Sequence, residues 1–287
     1  MSAPSSMPND SAPDDALVLP APRPRRAWRR AVLIALLAVW GSTAYWQTHK
    51  ALPPGTHIES PWRSATPGSV TFIADVTAAD AYGRPVMSQA IFDEVLGVVR
   101  SARRFLVLDY FLFNSQRGAA TADAPVRALS GELRDALVEQ RQLHPDLRVL
   151  FITDPINDVY GGSPSADLEA LRAAGVDVVV TDLNRLRDSN YLYSSLWRLG
   201  IQWWASGSAS VGWLPNPLDE ESGPVSFSAW ARLANFKANH RKVIIGDDGK
   251  GGLVGVVASA NPHDASSAHS NVAARVAGPA LAPLLAS

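Results

Sequence analysis

NHRKVIIGDD, residues Asn239 to Asp248, places a histidine, an arginine and a lysine at the mouth of an apolar run. In an extended chain successive side chains point to opposite faces, so His240 and Lys242 share one face and Arg241 takes the other. The segment GDDGKGG follows, whose Asp-Gly step and glycines signal a turn. Next comes LVGVVASAN, a second apolar run that ends in Ser259 and Asn261 at the same two-residue spacing. With an even loop of about six residues, antiparallel pairing sets His240 opposite Asn261 and Lys242 opposite Ser259 on a shared face. An odd loop length would split the pairs between faces.

An imidazole, an ammonium, a hydroxyl and a carboxamide at the ends of two strands can hold a phosphate. Lysine brings a point charge, while asparagine and serine donate directional hydrogen bonds to the non-bridging oxygens as phosphorus becomes five-coordinate. A neutral ring nitrogen is a nucleophile near pH 7. With these donors neutralising charge, the arrangement calls for no metal and no cofactor.

Upstream of the motif, helix and strand patterns alternate. SVTFIADV (69–76) reads as a strand, and Ser88 is placed to cap a helix through QAIFDEVLGVVRSARR (89–104). The apolar run FLVLDYFLF (105–113) reads as a strand and residues 124–145 as an amphipathic helix. A strand at 147–154, a helix at 165–175 and a strand at 176–182 follow. Such alternation predicts an α/β fold with a mixed, largely parallel sheet flanked by helices. Asp109 and Asp154 end apolar strands, where acids often cap helices. Between Leu183 and Ala234 the pattern fails, and Trp197, Trp203, Trp204, Trp213 and Trp230 fall among glycines, serines and prolines. The indoles are expected to pack this insertion down onto the domain rather than to face lipid or substrate.

The N-terminal region is different in kind. Residues 1–30 are rich in proline, serine and alanine, end in arginines at 23, 25, 26, 29 and 30, and are expected to be disordered. Residues 31–48, AVLIALLAVWGSTAYWQT, carry no charge and approach the ~17–25 residues that span a bilayer. Arginines on one side only predict a single-pass anchor in the inner, cytoplasmic membrane, with the N-terminus cytoplasmic and the remainder outside. A cleaved signal peptide is the rival, through Ser42–Ala44. A connector at 49–67 then leads to the folded domain, 68–287. The formal net charge of -1 argues against a basic nucleic-acid coat, so nucleic acid is not the favoured partner, and the absence of cysteine excludes disulfides and thiolate metal sites.

HRKVIIGD fits H-x-K-x(4)-D, with His240, Lys242 and Asp247 in the three places, and ASAN resembles the G-S-x-N that follows it in the phospholipase D superfamily. SARRFLVLDYFLFN also resembles the strand preceding this motif in phospholipase D-like and cardiolipin synthase-like proteins. The resemblance covers Ser69 to the C-terminus. It implies a phosphodiesterase or phosphatidyltransferase working through a phosphohistidine, with His240, Lys242 and Asp247 as the catalytic set. Lys242, Ser259 and Asn261 would hold the phosphate, and Asp247 would more naturally brace a loop than touch substrate. The implied substrate is a phospholipid or another phosphodiester; a superfamily nuclease and a non-catalytic lipid- or phosphate-binding module are the alternatives.

Three features depart from that pattern. The family catalyses with two such motifs, and the remaining histidines (49, 57, 144, 263 and 269) lack a lysine two residues on. The expectation is therefore an N-terminal half of a two-motif protein, or a homodimer that completes the site. The first option rests on VAGPALAPLLAS, where Leu281, Leu284 and Leu285 begin an apolar stripe with nothing yet to pack against. The acid that often follows the motif and orients the histidine is replaced by Ser270 or Asn271, and Ala258 stands for a glycine. His263, Asp264 and His269 read as solvated polar residues rather than a metal site.

Overall fold

A computed structural model describes residues 25–56, 58–62, 64–117, 126–207, 212–218 and 223–287. Of the expected disordered tail, residues 1–24 lie outside the described residues, and residues 25–30 belong instead to the first helix, Arg25–His49. Eight strands form one sheet in the order β2-β1-β8-β7-β6-β3-β4-β5. They are β1 (Val70–Ala79), β2 (Pro85–Ser88), β3 (Phe105–Tyr110), β4 (Arg148–Thr153), β5 (Asp177–Val180), β6 (Lys242–Asp247), β7 (Leu253–Ala258) and β8 (Asn271–Ala277). The helices are α1 (Arg25–His49), α2 (Ile91–Ser101), α3 (Leu129–Leu143), α4 (Ala166–Ala173), α5 (Tyr191–Gly200), α6 (Phe227–Leu233) and α7 (Ala282–Ala286).

The expected mixed sheet flanked by helices is present, with a different balance of directions. Only β3·β4 and β4·β5 pair in parallel; the other five pairings are antiparallel. The reason is local. Helices connect β3 to β4 and β4 to β5, as parallel crossovers require, whereas β6 turns into β7 through residues 248–252 and β7 into β8 through the loop 259–270, which carries a 3₁₀ turn but no α-helix and reverses the chain. β2 and β8 lacked a clear signal: β2 is four residues long and begins with proline, and β8, NVAARVA, has alanines where bulky β-branched residues would have marked a strand.

The main core lies between the sheet and helices α2, α3 and α4, with Leu106, Leu108, Ile244, Val254 and Val256 meeting Phe92, Val95, Val99, Leu133, Leu137 and Leu171. β6 is buried along its whole length. Its other face, Val243 and Ile245, packs against Leu281, with Leu284 and Leu285 beside it. The apolar stripe expected to lack a packing surface is therefore folded back onto the central strand.

Helix α2 is capped from a distance. Ser88 belongs to β2 and does not cap it; instead the Asp75 carboxylate, in the middle of β1, accepts from the N–H groups of Ala90 (2.7 Å) and Ile91 (3.0 Å). This satisfies donors at the helix N-terminus that have no partner within the helix.

Asp247 also serves the backbone. It ends β6 and lies opposite Leu253, so the β6–β7 loop is the five residues 248–252. Its carboxylate accepts from the N–H groups of Arg103, Arg104 and Phe105 at the start of β3, at 2.8–3.1 Å, and from Gly249 (3.1 Å). Burial pushes its pKa up, but these four donors outweigh burial and hold it below the usual aspartate range. Lys242 and Asp247 are the first and last residues of β6, so about 17 Å separates them at ~3.3 Å per residue. This corrects the grouping of Asp247 with the catalytic residues: it stands at the opposite edge of the sheet and braces β3 against the β6–β7 turn. Asp247→Ala is expected to lower unfolding free energy by about 1–3 kcal/mol, because part-buried N–H donors lose a charged acceptor, and to leave turnover per folded molecule unchanged. Urea unfolding with a parallel activity assay checks both.

Candidate active site

The strand directions bring one set of ends to a single edge of the sheet. Tyr110 ends β3 and pairs with Lys242, which begins β6; Thr153 and Val180 end β4 and β5 beside them; Ala258 ends β7 and pairs with Ala273 near the start of β8. The motif residues His240, Lys242, Ser259 and Asn261 all lie along this edge.

Alternation then sorts the side chains of HRK. The Arg241 guanidinium reaches Asp109 (3.3 Å) and the Ser287 hydroxyl (3.0 Å). His240 and Lys242 converge on the ring of Phe111 instead. The imidazole lies 4.8 Å from that ring, centroid to centroid, and the Lys242 ammonium nitrogen sits over it at 5.1 Å. The sharing of one side by His240 and Lys242 thus follows the two-residue period.

Lys242 is buried, and its ammonium donates to the carbonyl of His240 (3.2 Å), its only hydrogen bond among the described residues. Two of its three protons therefore have no acceptor among the described residues. Burial lowers its pKa, and Asp109 partly restores it. His240 is exposed, and burial of part of its ring followed by the Lys242 charge lowers its pKa, which favours the neutral, nucleophilic imidazole at pH 7. Asn261 is buried, and its Oδ1 accepts from the N–H of Leu112 (3.1 Å). With the oxygen engaged, the end of the amide left for a ligand is its N–H₂ donor.

The expected register between β6 and β7 is off by one residue. Val243 pairs with Val257 and Ile244 with Val256, which puts Lys242 opposite Ala258, not Ser259. The five-residue loop is the cause, since a one-residue change moves every partner to the other face. Ser259 is accordingly turned toward β8: its hydroxyl donates to Oδ1 of Asn271 (3.0 Å) and accepts from the N–H of Val272 (3.0 Å). Asn261 still reaches the site because the chain bends at Ser259 and leaves the strand.

Three supporting residues escaped the sequence reading. Phe111 follows β3 by one position, and its N–H donates to the Arg241 carbonyl (3.0 Å), so the β3·β6 pairing itself presents the ring to His240 and Lys242. Asn157 clamps the segment after β3: its amide donates to the Phe111 carbonyl (2.8 Å) and its oxygen accepts from the N–H of Phe113 (2.8 Å). Asn239 ties the residue before His240 to three elements, donating through its side chain to Asp109 (2.7 Å) and Thr181 (3.1 Å), and through its backbone to Asp154 (2.6 Å).

Asp154 caps the 3₁₀ turn Pro155–Asp158 by accepting from Ile156 N–H (2.9 Å), as expected of an acid ending a strand. Asp109 caps nothing; it lies buried against Asn239 and Arg241. Asp264 is buried rather than solvated, and accepts from the N–H and hydroxyl of Ser130 at the start of α3. Ser270 bonds to Thr77, in the backbone of β1. No ring nitrogen of His240 is hydrogen-bonded among the described residues, and the imidazole rests instead against the Phe111 ring.

No family model and no curated protein matches the chain. Among solved structures it is similar to Nuc from Salmonella typhimurium, a phospholipase D family member, at 17% identity and a TM-score of 0.34, covering 76% of this chain and 86% of that one. NucT from Helicobacter pylori is similar at 12% identity and 0.35, covering 75% and 91%. A yeast tyrosyl-DNA phosphodiesterase is similar at 13% and 0.27, covering 71% and 31%.

Asp154 supplies a pH test of this edge. Burial raises its pKa to about 6, against the pull of the Ile156 and Asn239 N–H groups. A raised carboxyl pKa means the folded state holds the proton after the unfolded chain has released it. The resulting stabilisation is complete below the unfolded value of 3.8 and is lost as pH rises through about 6. Stability measured by urea unfolding should therefore carry a falling contribution across that window, and Asp154→Asn should remove it.

Proposed function

We propose that this chain is a membrane-anchored phosphodiesterase or phosphatidyltransferase of the phospholipase D superfamily that acts on phospholipids through a phosphohistidine at His240. The observation that carries this reading is the convergence of the His240 imidazole and the Lys242 ammonium on one ring, Phe111, beside an Asn261 amide whose oxygen is already engaged. A neutral imidazole, two uncommitted ammonium protons and an amide N–H₂ are the groups that attack at phosphorus requires.

A ring nitrogen of His240 attacks phosphorus and forms a P–N bond while the P–O bond to the leaving group breaks. Lys242 and Asn261 hold the non-bridging oxygens, whose charge grows in the transition state. The leaving oxygen needs a proton, because expelling a bare alkoxide is slow. A second histidine of the same kind supplies it, from a second copy of the chain or from further sequence in the same protein. Water or an alcohol then attacks phosphorus, gives its proton to that partner, and releases His240. Asn239, Asn157 and Phe111 position the nucleophile, and Ser259 acts through Asn271 rather than on the phosphate.

The choice of a lipid rests on α1. This helix runs from Arg25 to His49, is long and apolar enough to cross a membrane, and is exposed over most of its length. Arginines at its N-terminal end favour an orientation with that end in the cytoplasm and the sheet outside, at the inner membrane. A site tethered beside a bilayer meets its substrate at high local concentration.

Purified full-length protein, assayed for headgroup release or transfer on phospholipid vesicles and for cleavage of a chromogenic phosphodiester, tests the reading. His240→Ala should lose about 10³-fold or more in turnover with its fold intact, since the side chain is exposed, and Lys242→Met about 10²–10³-fold. Equal activity in wild type and His240→Ala would reject the nucleophile. DNA degradation without lipid turnover would point to a nuclease, and vesicle binding without turnover to a non-catalytic module.

A further inference from the structure

Helix α5 is inside out for a helix in water. It buries Ser194, Ser195 and Arg198 together with Trp197, and exposes Leu192 (49%), Leu196 (57%) and Leu199 (41%). The 3₁₀ turn Gln202–Trp204 continues this face with Trp203 at 69% exposure. Positions 192, 196, 199 and 203 follow the i, i+4, i+7, i+11 spacing of one helical stripe. An amphipathic helix of a soluble domain turns this stripe inward; here serines and an arginine face the protein and leucines face out.

The stripe adjoins α1. The Trp40 indole N–H donates to the Leu192 carbonyl (3.1 Å), and Asp188 N–H donates to the Gln47 carbonyl (3.1 Å). An apolar groove of about 470 Å³ runs between the two helices, lined by Trp40, Ala44 and Tyr45 on one side and Tyr191 and Leu192 on the other. The exposed face of α5 is thus continuous with the apolar surface of the helix long enough to cross a bilayer.

Polar groups sit behind the stripe. Arg198 makes a two-pronged pair with Asp188 (2.8 Å for each contact), and Lys237 bonds the same carboxylate (2.8 Å), all three buried. The clamp joins α5 to the segment that reaches His240 three residues later. Whatever fixes α5 therefore also fixes the entry to β6.

We propose that α5 and the Gln202–Trp204 turn form a second, in-plane membrane contact, with Leu192, Leu196, Leu199 and Trp203 immersed at the headgroup–acyl boundary. A helix with leucine and tryptophan on its outer face has the character of an interfacial segment, and tryptophan favours that depth. The contact deepens the anchoring reading above and rests on it for the continuity with α1. It gives the domain two points of attachment, which fix the orientation of the functional edge instead of leaving the sheet on a single tether.

The chain has no cysteine, so single probes can be placed without background. Full-length Ile34→Cys, Leu199→Cys and Asp146→Cys, each carrying an environment-sensitive fluorophore, are reconstituted into phosphatidylethanolamine–phosphatidylglycerol vesicles containing a brominated phosphatidylcholine quencher. Ile34 lies on α1, and Asp146 is exposed just before β4, at the sheet edge opposite the site. The expected result is a shift to shorter wavelength and loss of emission at 34 and 199, with neither at 146. Quenching at 34 but not at 199 overturns the in-plane contact and leaves the anchor standing. Quenching at 199 but not at 34 supports the contact and removes the anchor. No quenching at either position rejects both, and quenching at all three means a chain inserted without its fold, which also overturns the contact. If the labelled protein is unquenched and unlabelled Leu199→Cys, treated with a mild oxidant, forms a disulfide with a second copy, the stripe belongs to self-association and the contact is overturned as well.

Discussion

The arrangement depends on a lysine buried at the first residue of a strand that is itself buried from end to end. Burying an ammonium is costly unless its charge is met, and here a backbone carbonyl, an aromatic face and a nearby carboxylate meet it only in part. The uncommitted protons make this position poor for stability and suitable for holding an anion. The rest of the edge is built around keeping Lys242 and its neighbour His240 at that point. Phe111 lies under both, Asn157 and Asn261 fix the backbone that carries Phe111, and Asn239 fixes the residue before the histidine.

Support and chemistry sit at opposite edges of the sheet. Asp247, the last residue of the motif, spends its carboxylate on four backbone donors at the far end of β6, which locks β3 and β6 in register. Tyr110 pairs with Lys242 in that same register, so the β3·β6 ladder itself sets where Phe111 emerges at the other edge, and Asp247 adds stability to that ladder. A short motif can therefore contain residues with unrelated jobs: two present groups to a ligand, and the third keeps the strands aligned.

Much of this was legible in the chain, and the failures have identifiable causes. The alternation of helix and strand located β3, β4, β5, β6 and β7, and the two-residue period separated Arg241 from His240 and Lys242. Register was not legible, because it turned on whether the Asp247–Leu253 connection held an odd or even number of residues, and glycine-rich loops permit either. The directions of β3, β4 and β5 and of the β6–β7 pair were legible, but the share of parallel pairing was overestimated because β2 and β8, both antiparallel, carried no clear strand signal. Phe111 and Asn157 were invisible as site residues for a different reason. Phe111 sits within an apolar run that reads as strand throughout and Asn157 in the 3₁₀ turn after β4, and the role of each comes from contacts with chain more than 40 residues away. The tryptophan-rich segment split: Trp197 is buried and bonded to the Ala231 carbonyl, as packing predicts, whereas Trp203, Trp204 and Trp213 are exposed.

The central claim is that His240 bonds to phosphorus during turnover. It is tested most directly by quenching full-length protein in alkali during steady-state reaction with phospholipid vesicles and sequencing its peptides by mass spectrometry. The account predicts an acid-labile, alkali-stable adduct of the substrate's phosphoryl group on His240, appearing and decaying as substrate is consumed. Continuing turnover with His240 unmodified and the adduct on another residue would contradict it.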